Sequence, residues 1–158
     1  MTQSKRIDPL LKRAQEHEDT VARDLAERQR VLDTHLSRLD ELRRYAEEYA
    51  SQQMANAQMA ATSPAQLLNR RAFLDRLDSA VEQQQATVNG NREKVEAERA
   101  RLILASRDKA VLEQLAASYR AQEKVVTDRR DQREMDDIGA RRARLAQGAD
   151  PVSDPQGG

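Results

Sequence analysis

The 158-residue chain has no cysteine and no tryptophan, only five glycines, three tyrosines and one phenylalanine. Without cysteine there is no disulfide frame, no thiolate metal cluster and no thiol nucleophile. With so few glycines and aromatics, little is left for tight turns or for a globular core that walls off a pocket. An excess of one charge is missing too, since Lys plus Arg and Asp plus Glu each number 27. A nucleic-acid surface needs a basic stripe to displace counterions from phosphates, so nucleic acid is excluded as a partner. The longest apolar run, around Leu102-Ile-Leu-Ala105, is about five residues against the roughly 20 a membrane span needs, so no direct membrane insertion is expected. The start, Met-Thr-Gln-Ser-Lys-Arg, lacks the apolar stretch of a secretory signal, which makes the expected location cytosolic.

What is present is charge, 34% of the chain, laid on helical periodicity. From Ile7 the apolar residues recur four and three apart through Leu11, Ala14, Val21, Leu25, Leu32, Leu39, Leu42, Ala46 and Tyr49, with Glu18, Arg28 and His35 as polar interruptions of one seam. Asp8-Pro9 pairs a capping carboxylate with a proline at the first helical position, which predicts a helix start near residue 8. Thr62-Ser63-Pro64-Ala65-Gln66 has a hydroxyl cap, a proline behind it and a Gln three residues after Ser63, the capping-box pattern of a second start. The first helix is therefore expected over about 8–61, a turn over about 62–64 and a second helix over about 64–147.

In the second helix Leu67, Leu74, Val81, Val88, Val95 and Leu102 fall every seven residues, with Leu77, Ala105, Leu112, Tyr119 and Val126 at companion positions. That period implies a left-handed supercoil. Asn89-Gly90 would elsewhere suggest a turn, but the valines keep phase across it, so a soft spot is expected rather than a break. Gly148 suits a helix C-terminal cap, and residues 148–158, with two prolines and no periodicity, read as a disordered tail.

Two long amphipathic helices joined by a few residues bury their seams most simply by folding back. The fold class is all-α: an antiparallel two-helix coiled-coil hairpin, one domain over residues 1–147, followed by the tail. Mirroring about residue 63 sets Tyr49 opposite Leu77, Leu42 opposite Gln84 and Leu11 opposite Leu115. The second helix then overhangs from about residue 119 by roughly 40 Å.

Such a coiled coil has no cavity that excludes water, so no catalytic residue and no cofactor are expected. His17 and His35 are the only histidines and lie too far apart to share a metal without a third ligand, so no metal is expected either. The register separates the aromatics instead. Tyr49 falls in the seam, whereas Tyr45, Phe73 and Ala80 fall on the flanking g positions, which face each other in an antiparallel pair. Tyr45 should neighbour Ala80, and Phe73 should neighbour Gln52. Leu42, Tyr45, Tyr49, Phe73, Leu77 and Ala80 thus form one lateral patch near the hairpin tip, readable as a docking site or as extra packing beside the turn.

Ile7-Asp-Pro-Leu-Leu-Lys-Arg-Ala14 with Glu16 to Asp19, the Leu39-to-Ala50 stretch with both tyrosines, Phe73 to Leu77, and Glu134-Met-Asp-Asp-Ile-Gly-Ala-Arg141 together resemble the FliJ family of flagellar type III export proteins. The resemblance covers residues 5 to about 145. It implies a coiled coil similar to the central stalk of rotary ATPases, placed in the pore of the hexameric export ATPase, contacting the membrane export gate and escorting export chaperones. Carried over, Leu42, Tyr45, Tyr49, Phe73, Leu77 and Ala80 correspond to the gate-binding surface. Residues 5–20 and 110–140 correspond to the end that enters the ring. Gly139 and the longer tail after Gln147 depart from the family pattern and bear on how firmly the last turns are held. The resemblance also implies a cytoplasmic protein, peripheral at the inner membrane. A monomeric hairpin is expected, with weak self-association left open. The alternatives are a stalk of a virulence type III system and a dimerising structural coiled coil with no ATPase partner.

Overall fold

A computed structural model describes residues 2–59 and 63–148, and in them the two seams become two helices, α1 (Gln3–Met59) and α2 (Pro64–Gln147). No strand occurs among the described residues. The expected end of α1 near Ala61, the start of the turn at Thr62 and the tail after Gly148 lie outside the described residues.

α2 starts as its capping pattern requires. The Ser63 hydroxyl accepts a hydrogen bond from the Gln66 amide at 3.3 Å, the Ser63 carbonyl accepts from the Leu67 amide at 3.1 Å, and Pro64 occupies the first helical position, where its missing donor costs nothing. α1 starts earlier than its proline suggests. Thr2, not Asp8, is the residue whose carbonyl takes the first helical bond, from the Arg6 amide at 3.3 Å, and Pro9 lies inside the helix. An interior proline removes one ladder bond. Packing outweighs that loss, because Ile7 is 5% exposed and Ser4 8% exposed against α2.

Contacts gather into two units, Arg13–Lys109 and Met1–Lys12 with Ala110–Gly158. In the first, the buried residues are Val21, Leu39, Leu77, Val88, Val95 and Ala105. Fully burying a valine or leucine is worth about 1.5–3 kcal/mol. Cross-helix pairs run antiparallel: Lys109 Nζ to Glu18 Oε1 at 3.3 Å, Arg43 Nη2 to Gln85 Oε1 at 2.7 Å, and the Tyr49 ring against Phe73. The Gln84 amide donates to the His35 carbonyl at 3.0 Å and stands 3.2 Å from His35 Nδ1. His35 is thus a seam position satisfied across the helix pair, as the register requires of a polar interruption. The neighbouring interruption is Gln29 rather than Arg28. Gln29 is half-buried and Arg28 exposed, since a long guanidinium side chain keeps its head in water when an alternative residue can line the seam. Helix α2 passes through Asn89-Gly90 unbroken.

In the second unit Ile7 and Ala116 are buried, and Arg120 Nη2 meets Asp8 Oδ1 at 3.1 Å. Two expected positions shift. Leu115 is 39% exposed while its neighbour Ala116 is 1% exposed, so the seam runs through the alanine and Leu115 flanks it beside Leu10 and Ile7. Val126 is 65% exposed because it lies past the Glu123 level at which α1 begins. In the other unit Leu67, the first expected seam residue of α2, is 49% exposed. It sits one turn past the connection, where the last half-buried residue described on α1 is Gln53. Beyond Glu123 every described residue of α2 is exposed, and same-helix pairs such as Arg130 with Glu134 at 3.5 Å accompany this arm.

Candidate functional site

Within the unit Arg13–Lys109, Phe73 on the α2 flank meets two rings of α1. Its centroid lies 4.6 Å from Tyr49 at an interplanar angle of 62° and 6.5 Å from Tyr45 at 81°. Both are edge-to-face arrangements that place a positive ring edge on a negative ring face. Phe73 and Tyr49 are half-buried, whereas Tyr45 is 51% exposed. Leu77 is buried, and Leu42 and Ala80 are half-buried.

The six expected residues therefore divide by environment. Leu77 and Tyr49 belong to the seam, Phe73 bridges the seam and its edge, and Tyr45 presents an aromatic surface to solvent. Phe73 is more than an edge residue, because its ring turns toward α1 and joins both tyrosines. A groove of about 500 Å³ runs beside Tyr45, lined by Arg38, Glu41, Leu42, Tyr45 and Gln84. Arg38 and Glu41 give it opposite charges at one rim. They lie seven and four residues before Tyr45, on its face of the helix, and that spacing is the signal by which they could have been found in advance. An exposed ring beside an apolar floor with a polar rim has the composition of a protein-binding anchor.

At the end carrying Thr2, a second groove of about 440 Å³ is lined by Thr2, Gln3, Tyr119, Gln122, Glu123, Val126 and Thr127. The Ser4 hydroxyl donates to Glu123 Oε2 at 2.6 Å and the Ser4 amide to Oε1 at 3.0 Å. These bonds, the hydroxyl's first, hold the Glu123 carboxyl below its usual 4.5, with Arg120 assisting and partial dehydration opposing. This groove sets Tyr119, inside the 110–140 stretch expected to meet the ring, beside Thr2 and Gln3, which precede the expected 5–20 stretch.

His17 is exposed, and among the described residues no group of three or more His, Cys, Asp or Glu side chains is placed to hold a metal. No described helix is long and apolar enough to cross a membrane. Comparison with protein families matches the one described as Flagellar FliJ protein, over residues 3–148. No curated protein matches the chain, and no solved structure does.

Proposed function

The chain belongs to the flagellar FliJ family, and from that premise we propose that it is a non-catalytic stalk and adaptor that inserts into the hexameric export ATPase, couples it to the membrane export gate and escorts export chaperones. As a family member it is a component of flagellar type III export and associates with the export apparatus. The family match carries this reading, and it favours the flagellar system over a virulence secretion stalk.

The groove-flanked patch of Leu42, Tyr45, Tyr49, Phe73, Leu77 and Ala80 is the surface that meets the gate, with Tyr45 as its exposed anchor. The turns around residues 5–20 and 110–140 enter the ring. Such a protein works in the cytoplasm, peripheral to the inner membrane. Each contact needs to favour one partner state by only about 1–3 kcal/mol to couple the two.

Purified full-length chain added to the hexameric ATPase should raise its hydrolysis rate, and the chain should co-purify with both the ATPase and the gate protein. A stable association with neither, and no change in hydrolysis, overturns the proposal.

A further inference from the structure

The arm of α2 past Glu123 carries apolar side chains that the hairpin does not use. Met135 is 68%, Ile138 45% and Leu145 74% exposed. With Asp128, Asp131 and Arg142 they recur alternately three and four residues apart, a stripe of coiled-coil period. It does not continue the seam that α2 shares with α1. That seam, prolonged from Ala116, Tyr119 and Glu123, keeps Val126 and then passes through Arg130, Arg133, Asp137, Ala140 and Arg144, so it is mostly charged. The apolar face of α2 therefore changes side shortly past the level at which α1 begins, which points to a different partner from α1.

We propose that residues 128–145 of α2 pair antiparallel with the same segment of a second copy of this chain. The charge order selects both the occupant and the direction. The stripe is acidic at its start, Asp128 and Asp131, and basic toward its end, Arg142, with Glu134 and Arg141 on its flank. A parallel pair would set Asp131 on Asp131 and Arg142 on Arg142. An antiparallel pair centred between Met135 and Ile138 sets each Met135 on the other copy's Ile138. It then sets each Asp131 on an Arg142 and each Glu134 on an Arg141, with Asp128 beside Leu145 only at the outer, solvated ends of the contact, every contact occurring twice by symmetry.

The same-chain bond from Arg130 to Glu134 is exposed and long at 3.5 Å, so it competes only weakly. Gly139 lies beside Ile138, and a Cβ built there meets nothing within 4 Å. The hairpin does not require this glycine, and its bare backbone lets a second helix come close. Eighteen residues give a contact about 27 Å long, small enough that the dimer forms and dissociates readily. Because this arm is also the end assigned above to the ATPase ring, the paired form would hold it in reserve, a consequence that rests on that reading while the pairing does not.

Sedimentation equilibrium of the full chain, with no ATPase present, tests the pairing through two variants, Asp131→Arg and Arg142→Asp. Wild type should self-associate with rising concentration. Each variant alone should associate about tenfold or more weakly, since two attractive contacts become repulsive. An equimolar mixture of the two should recover the wild-type affinity, because opposite charges again meet at both sites. Circular dichroism should show all three equally helical, the positions being exposed. A wild type that stays monomeric, variants that associate as well as wild type, or a mixture no tighter than its components would each overturn the proposal.

Discussion

Tyr45→Ala separates docking from packing at the aromatic patch. Tyr45 is 51% exposed and makes one edge contact at 6.5 Å. Half-burial of a ring contributes about 1 kcal/mol and the edge contact about 0.5–1.5 kcal/mol, while alanine returns roughly 0.5 kcal/mol of helix propensity. The expected net loss is about 1–2 kcal/mol. Phe73→Ala removes a half-buried ring with two such contacts, so its loss should be about 2–4 kcal/mol. Urea unfolding followed by circular dichroism gives both values, and titration of the gate protein's cytosolic part gives affinity. Tyr45→Ala should weaken gate binding by tenfold or more, the scale of an interface anchor, with the unfolding midpoint only slightly lowered. The pairing of Tyr45→Ala with Phe73→Ala is a less clean probe, because Phe73 also supports the fold. Unchanged gate affinity in Tyr45→Ala, or a stability loss equal to that of Phe73→Ala, would refute the reasoning and make Tyr45 a packing residue.

Three further outcomes are expected. Gly90→Ala should stabilise the protein by about 0.5–1 kcal/mol in urea unfolding, since a Cβ there meets nothing within 4 Å; a lower midpoint would reveal a role for the glycine. Glu123 is held below its usual 4.5 by Ser4, so its contribution is fully present above that value and is lost as pH falls through the lowered one. Ser4→Ala should accordingly flatten the acid limb of an exchange-protection profile for residues 3–10, and an unaltered profile would count against the clasp. Replacing Glu18 alone by Leu removes a cross-helix partner of Lys109 and should cost no more than about 1 kcal/mol. Replacing both by Leu should match or exceed wild-type stability, as thermal unfolding would show.

Helix α2 was legible because Leu74, Val81, Val88, Val95 and Leu102 repeat every seven residues, a signal that depends only on which side chains shun water. The α1 start was not, because Asp8-Pro9 carries a genuine local preference that the burial of Ile7 and the Ser4–Glu123 bonds override from more than a hundred residues away. The exchanges of Arg28 for Gln29 and of Leu115 for Ala116 as seam residues have a related cause. Adjacent residues straddle the seam, and side-chain reach and helix spacing, not hydrophobicity, choose between them. The candidate patch was readable as a set of positions. The convergence of both tyrosines on Phe73 was not, since ring orientation depends on the packed helix pair.

The polar seam contacts of Arg13–Lys109 have a mechanical consequence. A slip of one heptad between the helices would carry Glu18 from Lys109 onto Leu102 or Ala116, and would carry Gln84 away from His35 onto Arg28 or Leu42. Apolar layers of similar size tolerate sliding, whereas a seven-residue slip takes Glu18 and Gln84 away from the cross-helix groups that they bond in this register. The two polar layers therefore act as detents against shear, so a pull along this part of the helix pair is passed on as force rather than absorbed as slippage.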